Sequence, residues 1–439
     1  MKRAKNRTVN VGIIGFGTVG TGTARILLDK QADLERKAGF PVRLRRIADL
    51  DIKRKRGIKL PAGILSRDVE ALVRDPEIDI IVELIGGTRA ARDVILKALK
   101  NGKHVVTANK ALLAEAGQEL FRTAAKNRAV IGFEASVAGS IPIIKVIRES
   151  LIGNSISNIY GIINGTANYI LTKMTEEGLD FGTALGNAQA RGYAEADPTF
   201  DIEGIDSAHK LTILAALAFG IPFSFKKIYT EGITGITPLD IHFASELGYK
   251  IKLLAIAKHA DGAIELRVHP TMLPADDLIS SVSGVFNAIF VEGDATGEAL
   301  YYGRGAGEMP TGSAVVSDII DIGRRIVSGA DTWLQGITMT ARTDLKIKKM
   351  DDIRTCYYLR ISALDKPGVL SRISGILGSH NISIRSMIQK GRKKEKAVPL
   401  VMMTHEARER DMRQALREIN RLSIVSGRTM YLRVEGDED

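Results

Sequence analysis

The chain has 439 residues, of which 45% are hydrophobic and 26% charged, and this indicates a folded protein of about two to four domains rather than a disordered chain. The net charge of +11 does not distinguish an attraction to phosphates from an ordinary basic surface. The single cysteine, Cys356, excludes an intramolecular disulfide and a four-cysteine metal cluster. Because the sequence shows neither an apolar run of about 20 residues nor a signal-peptide cleavage pattern, we expect a cytoplasmic protein that does not enter a membrane.

Residues 8–135 predict a doubly wound parallel sheet. Short runs rich in β-branched and apolar residues alternate there with helical patterns, which is typical of parallel strands joined by crossover helices. The strand candidates are TVNVGIIG, VRLRRIAD, IDIIVELIGG, KHVVTANK and AVIGFEA. Helical patterns lie at 19–30, 92–102 and 111–127, and Gly102 is a candidate C-cap.

A glycine-rich turn joins the first predicted strand to the first predicted helix. Its GxGxxG pattern is formed by Gly15, Phe16, Gly17, Thr18, Val19 and Gly20. The first glycine permits a tight turn, the second lets the backbone approach a pyrophosphate, and the third allows the helix to pack closely. The N–H groups at the helix start favour a phosphate. In this context the motif predicts a dinucleotide site rather than a turn without a ligand.

The residues after the second strand leave the choice between NAD and NADP open. Asp49 closes that strand and is placed to accept hydrogen bonds from a ribose, which favours NAD. The basic run Lys53, Arg54, Lys55 and Arg56 follows within reach of a 2′-phosphate, which favours NADP unless the run is only a solvated loop. We favour NADP because four cations offer more to a phosphate than one carboxylate takes away.

Residues 136–335 mix long helical patterns with glycine-rich connections, which predicts an α+β region. On the helical pattern at 203–220, Asp206 and Lys210 are four residues apart and share one face. Five carboxylates precede that lysine, namely Glu195, Asp197, Asp201, Glu203 and Asp206. An exposed ion pair is the simpler interpretation, but so many charges beside a very apolar run favour a cleft.

The C-terminal residues, 354–439, follow a basic connector and predict the order βαββαβ, which is a split βαβ unit and a small independent domain. Its strand patterns lie at 356–364, 382–389, 397–406 and 428–436, and its helical patterns at 368–381 and 407–422. The basic run Lys390–Lys396 is interpreted as a hairpin loop.

Several long motifs follow one another along the chain. The most specific are the pattern AxGYAExDPxxDxxGxDxxxK at 190–210 and the turn NGTxNYIL at 164–171. Further motifs are TANK at 107–110, EASVAGSIP at 134–142 and GxGAGxxPTxSAVxxD at 303–318. In sequence and in order, these motifs resemble those of the homoserine dehydrogenase family. The resemblance implies an NAD(P)-dependent interconversion of L-aspartate 4-semialdehyde and L-homoserine, in threonine, isoleucine and methionine biosynthesis.

The resemblance also assigns catalytic and substrate roles. Lys210 would donate the proton to the developing alkoxide, and Asp206 would tether Lys210 or the substrate. Glu195 would receive the α-ammonium of the substrate. Lys110, after a predicted strand end, would lie between nicotinamide and substrate. Cys356 lies beyond the catalytic region, which disfavours oxidation of the aldehyde through a cysteine nucleophile.

Further residues are candidates for the cofactor and for a cation. Thr88 and Gly305 are expected to contact the cofactor, since one follows a strand and the other precedes a helix start. Residues 134–141 resemble the family's monovalent-cation loop. A structural sodium ion would be bound there by the Glu134 side chain and by the carbonyl oxygens of Val137, Gly139 and Ile141.

Residues 354–435 resemble an ACT domain, on the motifs LDKPGVLSRISGIL at 364–377 and HNISIRSMIQ at 380–389. The resemblance implies a regulatory fold that binds amino acids at interfaces between copies, with Asp365, Gly368 and Asn381 as candidate effector contacts. L-Threonine is the expected effector, and a homodimer or homotetramer the expected assembly. An assembly module without a ligand is the alternative.

The expected fold is therefore α/β, with a Rossmann-type N-terminal sheet, an α+β catalytic region and an ACT-like C-terminal unit. The expected domains are 1–145 for dinucleotide binding, with 310–345 packing back on it, 146–309 for substrate, catalysis and dimerisation, and 354–439 for regulation. A cofactor-binding regulator without turnover is the alternative function, but Lys210 and Glu195 are both present. Nucleic acid is not an expected partner, because the basic residues are scattered among acids.

Overall fold

The computed structural model describes residues 7–329, 344–389 and 397–436, so the predicted loop at Lys390–Lys396 lies outside the described residues. The chain divides into two compact units. The first comprises Met1–Ile156, His209–Lys226 and Glu292–Asp344, and the second comprises Ser157–Ala208, Lys227–Val291 and Leu345–Asp439. Within the described residues, no helix combines the length and apolar character needed to span a membrane.

The first unit contains the predicted parallel sheet. Its strands are β1 Val9–Ile14, β2 Val42–Ala48, β3 Leu65–Ser66, β4 Ile80–Glu83, β5 His104–Thr107 and β6 Ile131–Gly132. Its first helices are α1 Thr18–Asp29, α2 Gln31–Ala38, α3 Val69–Arg74, α4 Arg89–Lys100 and α5 Lys110–Lys126. The order β3-β2-β1-β4-β5-β6 with parallel pairing is the doubly wound arrangement, so the fold prediction is confirmed.

Reversal of strand order between β1 and β4 creates a crevice at the carboxyl ends of these strands, where open α/β sheets bind ligands. The core beneath it is built from β-branched strand residues such as Val11, Ile13 and Val82, all fully buried. Gly102 adopts a left-handed conformation with φ of 73°, but the C-cap of α4 is Asn101, one residue earlier.

The middle of the chain is α+β, as predicted. Its elements are α6 Ile143–Lys145, which continues as a π-helical turn over Val146–Ser150, β7 Ile156–Ile162, α7 Gly165–Glu177, α8 Phe181–Ala190, α9 Thr199–Ile202, α10 Ile205–Phe219, β8 Tyr229–Thr230, α11 Pro238–Glu246, β9 Tyr249–Ala260, β10 Ala263–Pro274, β11 Phe286–Gly293, β12 Gly297–Arg304 and α12 Glu308–Ser328. The longest hairpin joins β9 to β10 through Asp261 and Gly262, both at positive φ, as a tight two-residue turn requires.

Helix α12 returns to the first unit and lies directly against α1. A Cβ atom on Gly22 would stand 2.2 Å from the carbonyl oxygen of Glu308, and one on Gly312 would stand 2.9 Å from the Gly22 backbone. Only glycine allows backbones to approach so closely. Helix α12 therefore packs closely on α1, the helix that begins at the glycine-rich turn.

The C-terminal residues form the predicted βαββαβ order. The elements after α12 are β13 Lys346–Ile347, β14 Arg354–Leu364, α13 Val369–Ser379, β15 Ile384–Gln389, β16 Ala397–Thr404, β17 Ala407–Arg408, α14 Glu409–Ile419 and β18 Met430–Val434. The strands lie in the order β18-β14-β16-β15 with antiparallel pairing, and both helices pack on one apolar core. This is the arrangement of a split βαβ unit.

The sheet of this C-terminal unit is not separate from the middle of the chain. Strand β18 pairs in parallel with β10, joining Arg433 to Thr271. Beside that joint, Arg267 donates to Glu435 at 2.6 Å, and Arg433 donates to Glu231 at 2.9 Å. Both arginines are fully buried. The sequence pattern suggested an independent domain, whereas pairing of two strand edges makes the C-terminal sheet a continuation of the middle one.

Candidate active site

The glycine-rich turn has the geometry of a phosphate-binding turn. Gly15 has φ of 97°, and a Cβ atom there would stand 2.5 Å from the carbonyl oxygen of Leu84. A Cβ atom on Gly20 would stand 2.2 Å from the Gly15 carbonyl oxygen. By contrast, the space beside Gly17 is open to 4 Å, and no side chain caps α1, which starts at Thr18. The first and third glycines are thus required by packing, and the second leaves backbone exposed for a pyrophosphate.

Asp49 and Arg56 are part of the same turn. The Phe16 N–H donates to the Asp49 carboxylate at 2.5 Å, and Arg56 pairs with that carboxylate at 3.2 Å. The Arg56 guanidinium also donates to the Phe16 carbonyl oxygen and lies 4.8 Å from the centre of its ring. Arg56 therefore neutralises Asp49 and fixes the turn, while Lys53, Arg54 and Lys55 are exposed.

The next carboxyl edge of the sheet holds Thr88 and Lys110. Thr88 is the N-cap of α4 and Lys110 is the first residue of α5, and both are half-buried. Glu83, the last residue of β4, is completely buried, and its burial raises the pKa of its carboxyl group to about 7. Reasoning from the sequence missed Glu83, because it continues an apolar strand pattern and the motif containing it gave no sign of its burial.

Two of the carboxylates that precede Lys210 in the chain are organised by an amide. Asn164 donates from one side-chain nitrogen to Asp201 at 2.7 Å and to Asp206 at 2.9 Å. Its oxygen accepts the Ala167 N–H at 2.8 Å and so caps α7. One turn further along α10, Lys210 is only 9% exposed, and Asp206 is 6% exposed. The sequence interpretation quoted Asn164 as part of a motif but gave it no role.

Glu195 lies in a different environment. It belongs to the connection between α8 and α9, and its side chain is exposed. The Gln189 side chain donates to the Glu195 carbonyl oxygen at 3.1 Å, and the Thr166 hydroxyl donates to the Tyr193 carbonyl oxygen at 2.6 Å. The loop backbone is therefore anchored to α7 and α8, while the carboxylate itself faces solvent.

The loop at 134–141 has the donor set of a candidate cation site. The Glu134 carboxylate is buried and accepts the N–H groups of Ile144 at 2.8 Å and Lys145 at 3.0 Å, which leaves lone pairs on both oxygens. Burial, and then the neighbouring Asp318, raise the pKa of Glu134 to about 7. The Ile141 carbonyl oxygen already accepts the N–H of residue 143 at 2.8 Å. The Glu134 carboxylate and the backbone carbonyl oxygens of this loop are oxygen ligands, the type that a hard monovalent cation prefers.

The same loop touches the glycine-rich segment before α12. Gly139 has φ of 54°, and a Cβ atom there would stand 2.5 Å from the Gly305 carbonyl oxygen. The Ser140 N–H donates to the Arg304 carbonyl oxygen at 3.0 Å. Val137, the remaining predicted carbonyl ligand, is fully buried in this loop. The structure thus brings the candidate cation loop and the candidate cofactor residue Gly305 together.

A cavity of about 210 Å³ lies in the C-terminal unit where β14 leads into α13. Asp365 and Gly368 line it, and Gly368 caps α13 at φ of 86°. Asn381 follows the opposite end of α13, roughly 16 Å away for eleven residues at 1.5 Å each. Within one chain, the structure therefore joins two of the three predicted effector contacts and leaves Asn381 apart.

Comparison with known proteins finds matches along nearly the whole chain. The model of the homoserine dehydrogenase NAD-binding domain matches residues 15–134, that of the homoserine dehydrogenase catalytic domain matches 142–320, and that of the ACT domain matches 357–423. The homoserine dehydrogenase of Neisseria gonorrhoeae is 46% identical over 99% of this chain and 100% of its own length. That of Pseudomonas aeruginosa is 46% identical over 98% of this chain and 99% of its own.

Solved structures of homoserine dehydrogenases also match the chain. A crystal structure of a homoserine dehydrogenase from Thiobacillus denitrificans superposes with a TM-score of 0.92 at 47% identity, covering 98% of this chain and 99% of that one. A hyperthermophilic archaeal homoserine dehydrogenase mutant in complex with NADPH is 30% identical, with a TM-score of 0.61 over 72% of this chain and 97% of that one. The chain belongs to the homoserine dehydrogenase family of NAD(P)-dependent oxidoreductases.

Proposed function

We propose that the chain interconverts L-aspartate 4-semialdehyde and L-homoserine, with Lys210 as the proton donor to the carbonyl oxygen in the direction of reduction. The bound nicotinamide supplies the hydride. The observation that carries this assignment is a nearly buried lysine one helical turn after Asp206, a carboxylate that Asn164 holds in place. Asp206 would tether the lysine or the substrate, and Lys110 would lie between the nicotinamide and the substrate.

Glu195 is the proposed site for the α-ammonium group of the substrate. Its carboxylate is exposed on a loop whose backbone is anchored by hydrogen bonds to α7 and α8. An ionised carboxylate accepts up to four hydrogen bonds and donates none, which suits an ammonium ion. An accessible, well-anchored anion is what a diffusing amino-acid substrate requires.

For the cofactor, we favour NADP over NAD. Three exposed cations, Lys53, Arg54 and Lys55, follow the strand end where the ribose of a dinucleotide binds. Arg56 neutralises Asp49, so this carboxylate repels a 2′-phosphate less than a lone carboxylate would. Thr88 and Gly305 are the remaining proposed contacts. The archaeal relative in complex with NADPH supports this preference.

The loop at 134–141 is the proposed site of a structural sodium ion. Glu134 supplies a buried carboxylate, and Val137, Gly139 and Ile141 supply carbonyl oxygens. Because Gly139 packs on Gly305, an ion here would stiffen the segment that leads into α12. Its role would be to hold a cofactor contact in place, not to take part in the chemistry.

L-Threonine is the proposed effector, bound in the cavity beside Asp365 and Gly368. The ACT match supports a site for a small molecule in this unit. Asn381 can join that site only from a second copy, which favours a homodimer or homotetramer. The cytoplasmic location and the absence of a nucleic-acid partner stay predictions from the sequence.

The proposed reaction is tested by following absorbance at the nicotinamide band with purified protein, aspartate semialdehyde and each reduced cofactor. We expect oxidation of the reduced cofactor to depend on the aldehyde, and the reverse reaction to depend on homoserine. Binding of the cofactor without turnover of either substrate would favour a regulator that lacks enzymatic activity.

A further inference from the structure

Glu83 is a completely buried carboxyl group outside the machinery described so far. It ends β4 and lies opposite Thr107, the last residue of β5, in the parallel register of the two strands. The Thr107 hydroxyl donates to one carboxylate oxygen at 2.6 Å, and the Ile85 N–H donates to the other at 2.8 Å. Both partners are donors, so the position calls for a group that only accepts.

The hydrogen bonds continue from Thr107 into the next loop. The Thr107 oxygen accepts the Asn109 N–H at 3.0 Å. The Asn109 side chain then caps α5 by accepting the Leu112 N–H at 3.1 Å, and donates to the Gly87 carbonyl oxygen at 2.8 Å. The Glu83 carboxylate is thus part of a hydrogen-bond network that joins the loop after β4 to the loop after β5.

These two loops end in residues with proposed cofactor and substrate roles. Gly87 precedes Thr88, and Asn109 precedes Lys110. We propose that Glu83 is a positioning residue whose carboxylate fixes both loops, and through them places Thr88 and Lys110 for hydride transfer. This inference rests on the proposed function of those two residues.

Protonation of Glu83 would disturb this arrangement. A neutral carboxyl group carries its own O–H, and this donor would meet the hydroxyl or the N–H that now donates to it. The groups that face Glu83 are uncharged: the Thr107 hydroxyl from β5, the Ile85 N–H from the following loop and the Asn109 amide at the start of α5, with Ile14 beside it on β1. Burial raises the pKa of Glu83 to about 7, and the hydrogen bonds from Thr107, Ile85 and Asn109 offset only part of this effect.

Three variants test the proposal: Glu83→Gln, Thr107→Val and Thr107→Ser. Glu83→Gln leaves one acceptor oxygen where the carboxylate offers two, so either the Thr107 hydroxyl or the Ile85 N–H loses its acceptor, and Thr107→Val removes the hydroxyl donor itself. We expect each to lower kcat/KM at least tenfold, because small displacements of catalytic groups cost up to about a hundredfold. Thr107→Ser keeps the hydroxyl and should stay within about twofold of the parent, given that the bond itself is retained. The double variant Glu83→Gln with Thr107→Val should lose little more kcat/KM than either single variant, since both substitutions disturb the same hydrogen-bond network.

The pH profile separates positioning from mere stabilisation. For the parent, kcat/KM should fall as the pH decreases through about 7, and this step should be absent in Glu83→Gln. The proposal would be overturned if Glu83→Gln and Thr107→Val each lowered kcat/KM less than twofold, or if their effects were additive in the double variant. An unchanged pH step in Glu83→Gln would also overturn it. The circular dichroism spectrum and the melting temperature show whether each variant is folded. A parent protein that binds cofactor but turns over no substrate would contradict the proposed function, and altered cofactor affinity in the variants would still test Glu83.

Discussion

At the scale of single residues, the two carboxylates that we propose to bind the substrate differ in exposure, and their roles should differ accordingly. Asp206 is buried and held by Asn164, whereas Glu195 is exposed on an anchored loop. A buried group shapes the reacting geometry, while an exposed one makes an ion pair that is present in both the ground state and the transition state. Uniform binding of that kind affects KM more than kcat.

We therefore expect Glu195→Gln to raise the KM for aspartate semialdehyde about tenfold or more, the range for one lost hydrogen bond to a charged group, with a smaller change in kcat. Steady-state kinetics at saturating cofactor measures both constants. Glu176→Gln removes an exposed carboxylate from α7 and serves as the matched control. A fall in kcat as large as the rise in KM would contradict this division of roles.

The candidate site residues that the sequence suggests are those with charge in a periodic or motif-bearing context. The spacing of Asp206 and Lys210 placed them on one helical face, and α10 confirms that they share a helix. Asn164 and Glu83 escaped notice as functional side chains for different reasons. An amide in a turn has no periodicity, and a glutamate at the end of a buried strand shows its environment only when the neighbouring strand is in place.

At the scale of secondary-structure elements, the basic loop after β2 divides into two parts. Arg56 turns inward to Asp49 and Phe16, whereas Lys53, Arg54 and Lys55 are exposed. Replacing these three by Ala should weaken NADPH at least tenfold and leave NADH nearly unchanged, since only the 2′-phosphate needs them. Fluorescence titration of both cofactors measures the ratio.

The matched control for the basic loop is the replacement of Lys30, Arg36 and Lys37, three exposed cations near α2, by Ala. This variant loses the same charge without touching the loop after β2. Equal weakening of NADPH and NADH in the loop variant, or equal effects in the control, would show that the run is a solvated loop.

The candidate cation loop at 134–141 allows a test by ion replacement. A ligand that binds only the folded state stabilises it, by about 1.4 kcal/mol at ten times its dissociation constant. We expect sodium chloride to raise the melting temperature by about 1 to 3 °C relative to choline chloride at equal ionic strength. Glu134→Gln should abolish this difference. A sodium effect that persists in the variant would mean that the ion binds elsewhere or acts through general screening.

Elements with a clear apolar period were predicted within a few residues, including α1, α4, α5 and both helices of the C-terminal unit. Helix α2 was missed because none of its residues is buried, so it carries no apolar stripe. The pairing of β10 with β18 could not be predicted from the sequence either, since the residue pattern of an edge strand does not indicate which strand it pairs with.

At the scale of the whole molecule, the C-terminal strands share a sheet with the middle of the chain, so truncation is a poor test of regulation. Removing the residues after Asp344 would take away strand β18, which pairs with β10, and Glu435, which accepts from Arg267. A truncated chain would therefore lose stability as well as an effector site. Point substitutions inside the effector cavity separate these effects.

We expect L-threonine to inhibit the full chain and Asp365→Ala to raise the threonine concentration needed at least fivefold, within the range of typical allosteric couplings. Asp365 lines the cavity, whereas Glu406→Ala removes an exposed acid elsewhere in the same unit and is the control. Inhibition assays together with calorimetry measure coupling and binding. If millimolar threonine neither binds nor inhibits the parent protein, the module serves assembly or another ligand.

The central claim, that Lys210 transfers the proton during reduction of the aldehyde, is tested most directly by Lys210→Ala. Transient kinetics of nicotinamide oxidation measures the chemical step, and fluorescence measures cofactor binding. General acid catalysis is typically worth about 10² to 10⁴ in rate, so we expect a loss of this size, with cofactor affinity within about twofold of the parent. Lys226→Ala, which removes an exposed lysine, should leave both quantities unchanged. A loss of less than tenfold in a folded Lys210→Ala protein would contradict the assignment.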